Sequence, residues 1–288
     1  MATHRSELSD LIYARSFELK PESLPKLWSA YSGQLASTAR RLGLRLSIVA
    51  NNLRNTTQTL WRAVMQGLRL PTNSINVWQV LSHGQCLAAI FHALRPSREL
   101  RRIYLPSSHT YDFTVAWASD ALHDHLWSSD ELEIIHDGSH ANRLGKVLAI
   151  SSSPTSETML SALRVCTVTK LADHGGLQYN CGLCEKCLRT MVELEVAGNR
   201  MQAQTFEPIS TSELSTRVEQ HAGFAKTALH RNQDGILGHF GLRKCAAPCD
   251  LNSALACIPA HLNSPHAAAR NASGTVPSWR AIDCSGRR

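Results

Sequence analysis

Four cysteines lie within 22 residues of one another, in the spacing C-x14-C-G-x-C-x-x-C. They are Cys166, Cys181, Cys184 and Cys187. Zinc favours four thiolates at about 2.3 Å in a tetrahedron, and a C-x2-C turn lets two sulfur atoms face one ion. Gly182 suits the tight turn inside this motif. The spacing therefore predicts one structural zinc ion held by these four residues.

Two neighbouring elements bear on the choice between zinc and other chemistries that share this spacing. A C-x2-C pair also occurs in redox dithiols, and iron–sulfur clusters use C-x2-C-x2-C runs. The sequence predicts a strand over residues 162–166, which ends at Cys166, and a helix over 188–198 that starts beside Cys187 and ends at Gly198. A ligand at a helix N-terminus favours thiolate. We therefore favour zinc, while the iron–sulfur and redox alternatives stay open.

Composition and charge limit the classes of protein to which the chain can belong. The 288 residues are 43% hydrophobic and 18% charged, as in folded proteins, and no stretch reaches the length of an apolar membrane span. Nine cysteines, an odd number, argue against a disulfide framework, and the first residues lack the apolar block of a secretory signal, so we expect a cytoplasmic protein. Most of the net charge of +7 lies beyond Ala225, which disfavours nucleic-acid binding by the rest of the chain.

Hydrophobic periodicity predicts helices alternating with short strands. The expected strands cover 44–50, 101–106, 132–138 and 162–166, and the expected helices cover 20–43, 82–94, 119–127 and 140–150. Single helices between strands are what a parallel sheet requires, so we predict a layered α/β fold. We predict an α/β domain over 1–206, a helical extension over 207–224 and a poorly ordered basic tail over 225–288.

The cysteine motif resembles the zinc knuckle of 7-cyano-7-deazaguanine synthase and related PP-loop ATP pyrophosphatases. The segments SSHTYDF, LEIIHDG and YNCGLCEKCLRTM look more like an uncharacterised bacterial branch of that superfamily. The likeness runs roughly from Leu11 to Phe206, and only the knuckle is a sharp motif. The resemblance implies an adenine nucleotide alpha hydrolase-like sheet, the four cysteines as zinc ligands, and ATP with Mg²⁺ as reactants. The implied reaction is ATP-dependent ligation, or amide or nitrile formation, on a small molecule.

The chain departs from this family at the phosphate loop. Family members rest the phosphates of ATP on an S-G-G-x-D-S loop, where backbone N–H groups meet the anion. No such string occurs here, and the nearest one, residues 32–37, lies inside a predicted helix. If residues 11–17 match the family's second strand, the chain is N-terminally truncated relative to the family. We therefore expect poor or absent ATP binding.

Several polar residues follow predicted strands or open predicted helices, where α/β proteins bind ligands. We predict substrate contacts from His83, which opens a helix, and from His109, Tyr111 and Asp112, which follow a strand; the catalytic residues stay unknown. The end of the next strand, His136 and Asp137, forms either a general acid/base pair or a turn before Gly138. The run from His123 to His125 is expected to be a solvated helix face.

The primary hypothesis is a zinc-stabilised, PP-loop ATP pyrophosphatase-like protein, an enzyme of the ligase or synthase type if the phosphate loop is supplied. The alternative is a non-catalytic, zinc-stabilised binding or scaffold module. A zinc-knuckle nucleic-acid binder is the third reading, disfavoured by the near-neutral charge before Ala225. The expected partner is a small-molecule substrate, without a membrane, and homo-oligomerisation stays open.

Overall fold

The computed structural model describes residues 4–17, 25–72, 75–111, 115–166, 170–171 and 177–228. The chain divides into two compact units, here called unit 1, which ends at Asn142, and unit 2, which begins at Arg143. This boundary falls inside the range predicted as one domain, and the predicted ranges 1–206, 207–224 and 225–288 stay predictions. Among the described residues, no helix is long and apolar enough to cross a membrane.

Unit 1 contains two pairs of parallel strands and the helices between them. Its elements are β1 (Asp10–Ala14), α1 (Pro25–Arg41), β2 (Arg45–Val49), α2 (Leu53–Gly67), a π-helical turn (Trp78–Ser82), α3 (His83–Arg98), β3 (Arg102–Pro106), a 3-10 turn (Asp124–Trp127) and β4 (Glu133–Asp137). Strand β1 pairs with β2, and β3 pairs with β4, both in parallel register. The small parallel sheets agree with the predicted α/β class, while the single layered sheet stays a prediction.

The core of unit 1 is formed by one face of α3 packed on β3 and β4. Ala88 and Phe91, one helical turn apart, bury their side chains against Ile103, Leu105 and Ile134. Side chains alternate between the two faces of a strand, so Ile103 and Leu105 face this core together. This packing holds β3 and β4 in place beside α3. His136 and Asp137 lie at the carboxyl end of β4.

The helix predicted over residues 119–127 is wrong. Only the 3-10 turn Asp124–Trp127 forms there, preceded by turns. The carboxylate of Asp120 accepts the backbone N–H groups of Leu122 and His123, at 2.8 and 3.0 Å. A side chain that takes these N–H groups competes with helix formation, which explains the difference.

Unit 2 is mainly helical. Its described elements are α4 (Arg143–Ser151), α5 (Ser156–Leu160), β5 (Lys170–Leu171), β6 (Leu177–Gln178), α6 (Glu185–Val196), a 3-10 turn (Arg200–Gln202) and α7 (Thr211–Ala228). Helix α6 is buried almost all round, and its Leu188, Met191 and Leu194 pack in one cluster with Cys166 and Cys187. The predicted tail lies outside the described residues from position 229 onward.

The strand predicted over residues 162–166 is also wrong: the segment forms no strand, and none of the described strands pairs with it. The side chain of Asn180 takes the place of one. Its Oδ1 accepts the N–H groups of Val165 and Cys166, at 3.0 and 3.2 Å, and its Nδ2 donates to the carbonyl of Leu163 at 2.9 Å. Three backbone groups of this segment are therefore satisfied by one buried amide.

Candidate functional site

The four cysteines of the motif gather in unit 2. Their sulfur atoms all lie within 4.8 Å of one another. The Cys166–Cys184 and Cys181–Cys187 pairs are each 3.8 Å apart, and the Cys184–Cys187 pair is 3.5 Å apart. Four sulfurs placed about 2.3 Å from one ion, at the corners of a tetrahedron, are about 3.8 Å apart. All four are free thiols, and together they form a group that could hold one metal ion.

Local backbone geometry brings three of these sulfurs together. Gly182 has φ of +70°, in the left-handed region that glycine tolerates, and so reverses the chain directly after Cys181. Cys184 is the extended residue that precedes α6, and Cys187 lies in the first turn of that helix. The glycine predicted for the tight turn and the helix predicted after the last ligand are both confirmed.

The electrostatic surroundings suit sulfur anions neutralised by a cation. Burial raises the pKa of the Cys181 thiol, but backbone N–H groups of Leu183 and Cys184 point at its sulfur and bring the pKa down to about 7. Burial raises the pKa of both Cys184 and Cys187 above the usual range. Deprotonating several buried thiols side by side requires a compensating positive charge, which a bound divalent ion supplies.

Asn180 is a functional residue that the sequence reasoning missed. It is 1% exposed, directly precedes Cys181, and ties the segment of Cys166 to the motif through the hydrogen bonds described above. The Nδ2 atom also donates to the carbonyl of Thr205 at 3.3 Å. In the sequence, this role is indicated only by the position of an asparagine directly before Cys181, where its amide can orient a metal ligand.

Two of the predicted substrate residues in unit 1 come together around one indole. The imidazoles of His83 and His109 make edge contacts with Trp117, with ring centroids 5.6 and 5.3 Å away. Tyr111 is 62% exposed, and its backbone N–H donates to the carbonyl of Ser139 at 3.0 Å. Asp112 lies outside the described residues. The role of these residues in substrate binding stays a prediction.

His83 is fixed at the start of α3 by an irregular turn. The π-helical turn before it brings the carbonyl of Trp78 to 3.0 Å from Nδ1 of His83. Burial lowers the pKa of His83, against the opposing effects of that carbonyl and of the charge of Asp124. A side chain at Gly84 would meet the carbonyl oxygen of Ala118 at 1.9 Å, so only glycine lets the Trp117 segment lie this close to α3. Helical irregularities of this kind are frequent at functional sites.

His136 has a different partner from the one considered in the sequence. Its Nδ1 atom lies 2.6 Å from Oδ2 of Asp124, and Ser119 donates to the same oxygen at 2.7 Å. Asp124 is 0% exposed, so the prediction of a solvated face is wrong for this residue. Asp137 instead lies 3.2 Å from Nε2 of His4. Sequence neighbours on a strand point to opposite faces, which keeps His136 and Asp137 apart.

Comparisons of the chain with protein-family models, with curated proteins and with solved structures find no match.

Proposed function

We propose that this chain is a zinc-stabilised protein of the PP-loop ATP pyrophosphatase type. In this proposal unit 2 holds one structural zinc ion through Cys166, Cys181, Cys184 and Cys187, and unit 1 holds a small molecule at the carboxyl ends of β3 and β4. The single observation that supports the proposal most strongly is the spacing of the four sulfurs, which matches one tetrahedral ion.

The sulfur spacing favours one ion over a cluster of irons. In an iron–sulfur cluster the cysteines bind different iron atoms, so their sulfurs spread further apart than around a single ion. Separations of 3.5 to 3.8 Å for the three closest pairs suit a single centre. Four thiolates also fill a tetrahedral shell, which leaves no open position for substrate and assigns the ion a structural role.

The ligase chemistry rests on the resemblance and on the polar edge of unit 1. His83 and His109 meet at Trp117, beyond the carboxyl end of β3, where parallel sheets bind ligands. The string at residues 32–37 lies within α1 and offers no phosphate loop. We therefore expect this chain to bind ATP weakly and to release no pyrophosphate from it by itself.

Metal analysis tests the zinc proposal directly. Protein purified without chelator should carry about one zinc ion per chain, and the Cys181→Ser variant should carry much less. Cys86→Ala is the matched control, because Cys86 is a buried thiol of unit 1 outside the motif and should leave the zinc content unchanged. An iron-dependent visible absorbance, or protein without stoichiometric metal, would overturn the proposal.

A second assay separates the two candidate functions. Pyrophosphate release and ATP binding by equilibrium dialysis should both be negligible for the zinc-loaded chain. That result, together with full zinc content, would mean that this chain by itself acts as a non-catalytic, zinc-stabilised module, also if it is of the PP-loop type. Robust turnover would instead place phosphate binding elsewhere in the chain and support the enzyme.

A further inference from the structure

Asp124 is a completely buried carboxylate in unit 1, and only one of its two oxygens accepts hydrogen bonds among the described residues. Its Oδ2 atom accepts hydrogen bonds from Ser119 and His136, at 2.7 and 2.6 Å. Its Oδ1 atom is buried and has no hydrogen-bond partner in the part of the chain that the structure describes. A buried polar atom left without a partner costs about 1–3 kcal/mol, and more when it is charged. A buried carboxylate oxygen without a partner lowers the stability of the fold, so its presence suggests a functional role.

The pairing sets the chemical character of His136. An ionised carboxylate only accepts hydrogen bonds, so with Asp124 as the acceptor the proton of this bond belongs to Nδ1 of His136. The proton on Nδ1 leaves a basic lone pair on Nε2. Nε2 makes no hydrogen bond within the described ranges. The side chain is 6% exposed, so the ring is held firmly with its basic atom unused.

The position of the pair is where a parallel sheet binds ligands. His136 is the penultimate residue of β4 and lies opposite Leu105 of β3, so it belongs to the shared carboxyl edge of both strands. The charge of Asp124 also acts on His83, the histidine beside Trp117. This edge of unit 1 therefore collects a carboxylate, an oriented imidazole and an aromatic surface.

We propose that His136 and Asp124 are the acid–base pair of a small-molecule site at this edge. The ligand class is a molecule with a hydroxyl or amine group that must lose a proton to act as a nucleophile. His136 is the catalytic residue, and Asp124 and Ser119 are positioning residues. The inference rests on the proposed function only in placing a small molecule here, and it uses residues of unit 1 alone.

The proton transfer balances without a further reactant. The O–H or N–H bond of the ligand breaks, the proton moves to Nε2 of His136, and the electron pair stays on the ligand oxygen or nitrogen. The imidazolium that forms is paired with the carboxylate of Asp124 across 2.6 Å. Loss of the proton from Nε2 to water restores the pair.

The test measures the tautomer and the reactivity of His136 in the full chain. Long-range ¹H–¹⁵N spectra of histidine-labelled protein, assigned with a His136→Gln sample, should show neutral His136 with its proton on Nδ1. Diethyl pyrocarbonate, a small acylating probe, should modify Nε2 of His136, as read by peptide mass spectrometry. His123 is the internal control, because its Nδ1 also lies against an aspartate, Asp120 at 2.8 Å, but its side chain is 60% exposed.

Two asparagine variants separate positioning from general folding effects. In Asp124→Asn the amide can donate to Nδ1 and move the proton to Nε2, so modification of His136 should slow at least about tenfold. Asp120→Asn should leave the tautomer and the rate of His136 unchanged. Ser119→Ala, a milder change at the same carboxylate, should keep the Nδ1–H tautomer and covers the case in which Asp124→Asn does not fold.

The outcomes are decisive in both directions. Wild-type His136 with its proton on Nε2, or a His136 that stays unmodified while His123 reacts fully, overturns the acid–base proposal. Zinc content measured on the same samples keeps the two proposals apart. Full zinc with an unreactive His136 rejects this inference alone, whereas a reactive His136 without zinc rejects the metal site alone.

Discussion

In unit 1 the candidate reactive residues lie at or near the ends of strands that an apolar core holds in place, whereas in unit 2 the cysteines are part of the core itself. Ala88, Leu105 and Ile134 pack with one another without help from the Asp124–His136 pair. Cys166 and Cys187, in contrast, belong to the same buried cluster as Leu188 and Met191 of α6. The fold of unit 1 should therefore tolerate the loss of its polar pair far better than unit 2 tolerates the loss of its sulfur group.

The largest expected effect is on unit 2, from Cys187→Ser. A structural zinc site contributes an apparent ~10–16 kcal/mol, which is comparable with the whole stability of a domain, about 5–15 kcal/mol. We expect the variant to lose its metal and its helical far-UV signal from unit 2. Limited proteolysis should then cut within residues 143–228 while fragments of unit 1 persist.

Two comparisons sharpen this first prediction. Excess chelator added to the wild-type chain should reproduce the proteolysis pattern of Cys187→Ser, since both remove the ion. Cys86→Ala should keep the resistance of unit 2 to protease, because Cys86 lies in α3 of unit 1. A Cys187→Ser protein that stays folded and resistant would show that the sulfur group is dispensable for unit 2.

The next effect concerns the amide that supports the cysteine group, through Asn180→Ala. This change leaves the buried N–H groups of Val165 and Cys166 without their acceptor. With two such groups at about 1–3 kcal/mol each, the zinc-loaded protein should lose roughly 2–6 kcal/mol in urea unfolding. Asn199→Ala, which removes one local bond to the carbonyl of Ala197, should cost less than about 1 kcal/mol. Equal losses for the two variants would deny Asn180 a special role.

The third effect tests the close approach in unit 1, through Gly84→Ala. The added methyl group would lie 1.9 Å from the carbonyl oxygen of Ala118, so the segment that carries Trp117 must move. Thermal unfolding should show a loss of about 1–3 kcal/mol, typical of overpacking. Gly33→Ala in α1 is the matched control, since nothing lies within 4 Å of its added carbon. That control should gain about 0.5–1 kcal/mol from helix propensity, and a loss there would contradict the helical environment of residues 32–37.

The difference between the units also explains what the sequence could predict. The cysteine group lies in a short stretch with a glycine turn and a following helix. Its geometry is therefore determined largely by the spacing of residues that are close in the sequence. The apolar periodicity that predicted α1 and α3 reflects burial of one helix face, whereas the apolar residues that predicted α6 belong to a helix that is buried almost all round. Strands β2, β3 and β4 were predictable for the related reason that short β-branched runs bury well between helices.

The errors arise where a distant side chain replaces a backbone partner. Residues 162–166 have the composition of a strand, but Asn180 supplies their hydrogen bonds, and no local pattern indicates that. The pairing of His136 with Asp124 depends on how the turns before β4 fold, and the nearer Asp137 was the natural choice from sequence alone. Helix α2 was not predicted, because its apolar residues Leu60 and Val64 are exposed and only Met65 is buried, so no apolar face marks it in the sequence.

The two units also differ in their buried carboxylates. Asp124 of unit 1 has two hydrogen-bond donors, whereas Glu193 of unit 2 is 1% exposed and its Oε2 has no partner in the ranges described. Burial raises the pKa of Glu193 from 4.5 to about 8, against the attraction of Arg143 and Arg189. Between these values the folded protein binds more protons here than the unfolded chain, so the free energy of unfolding falls as pH rises.

Glu193→Gln should remove this dependence, because glutamine cannot ionise. Urea unfolding of both zinc-loaded proteins at matched pH should give a difference in stability that grows in favour of the variant as pH rises from 4.5 towards 8. The slope is at most about 1.4 kcal/mol per pH unit, the value for one proton. Glu219→Gln, a change at an exposed position of α7, should follow the wild-type pH dependence. Parallel curves for Glu193→Gln and wild type would mean that Glu193 ionises freely inside unit 2, and the contrast with the paired Asp124 would fail.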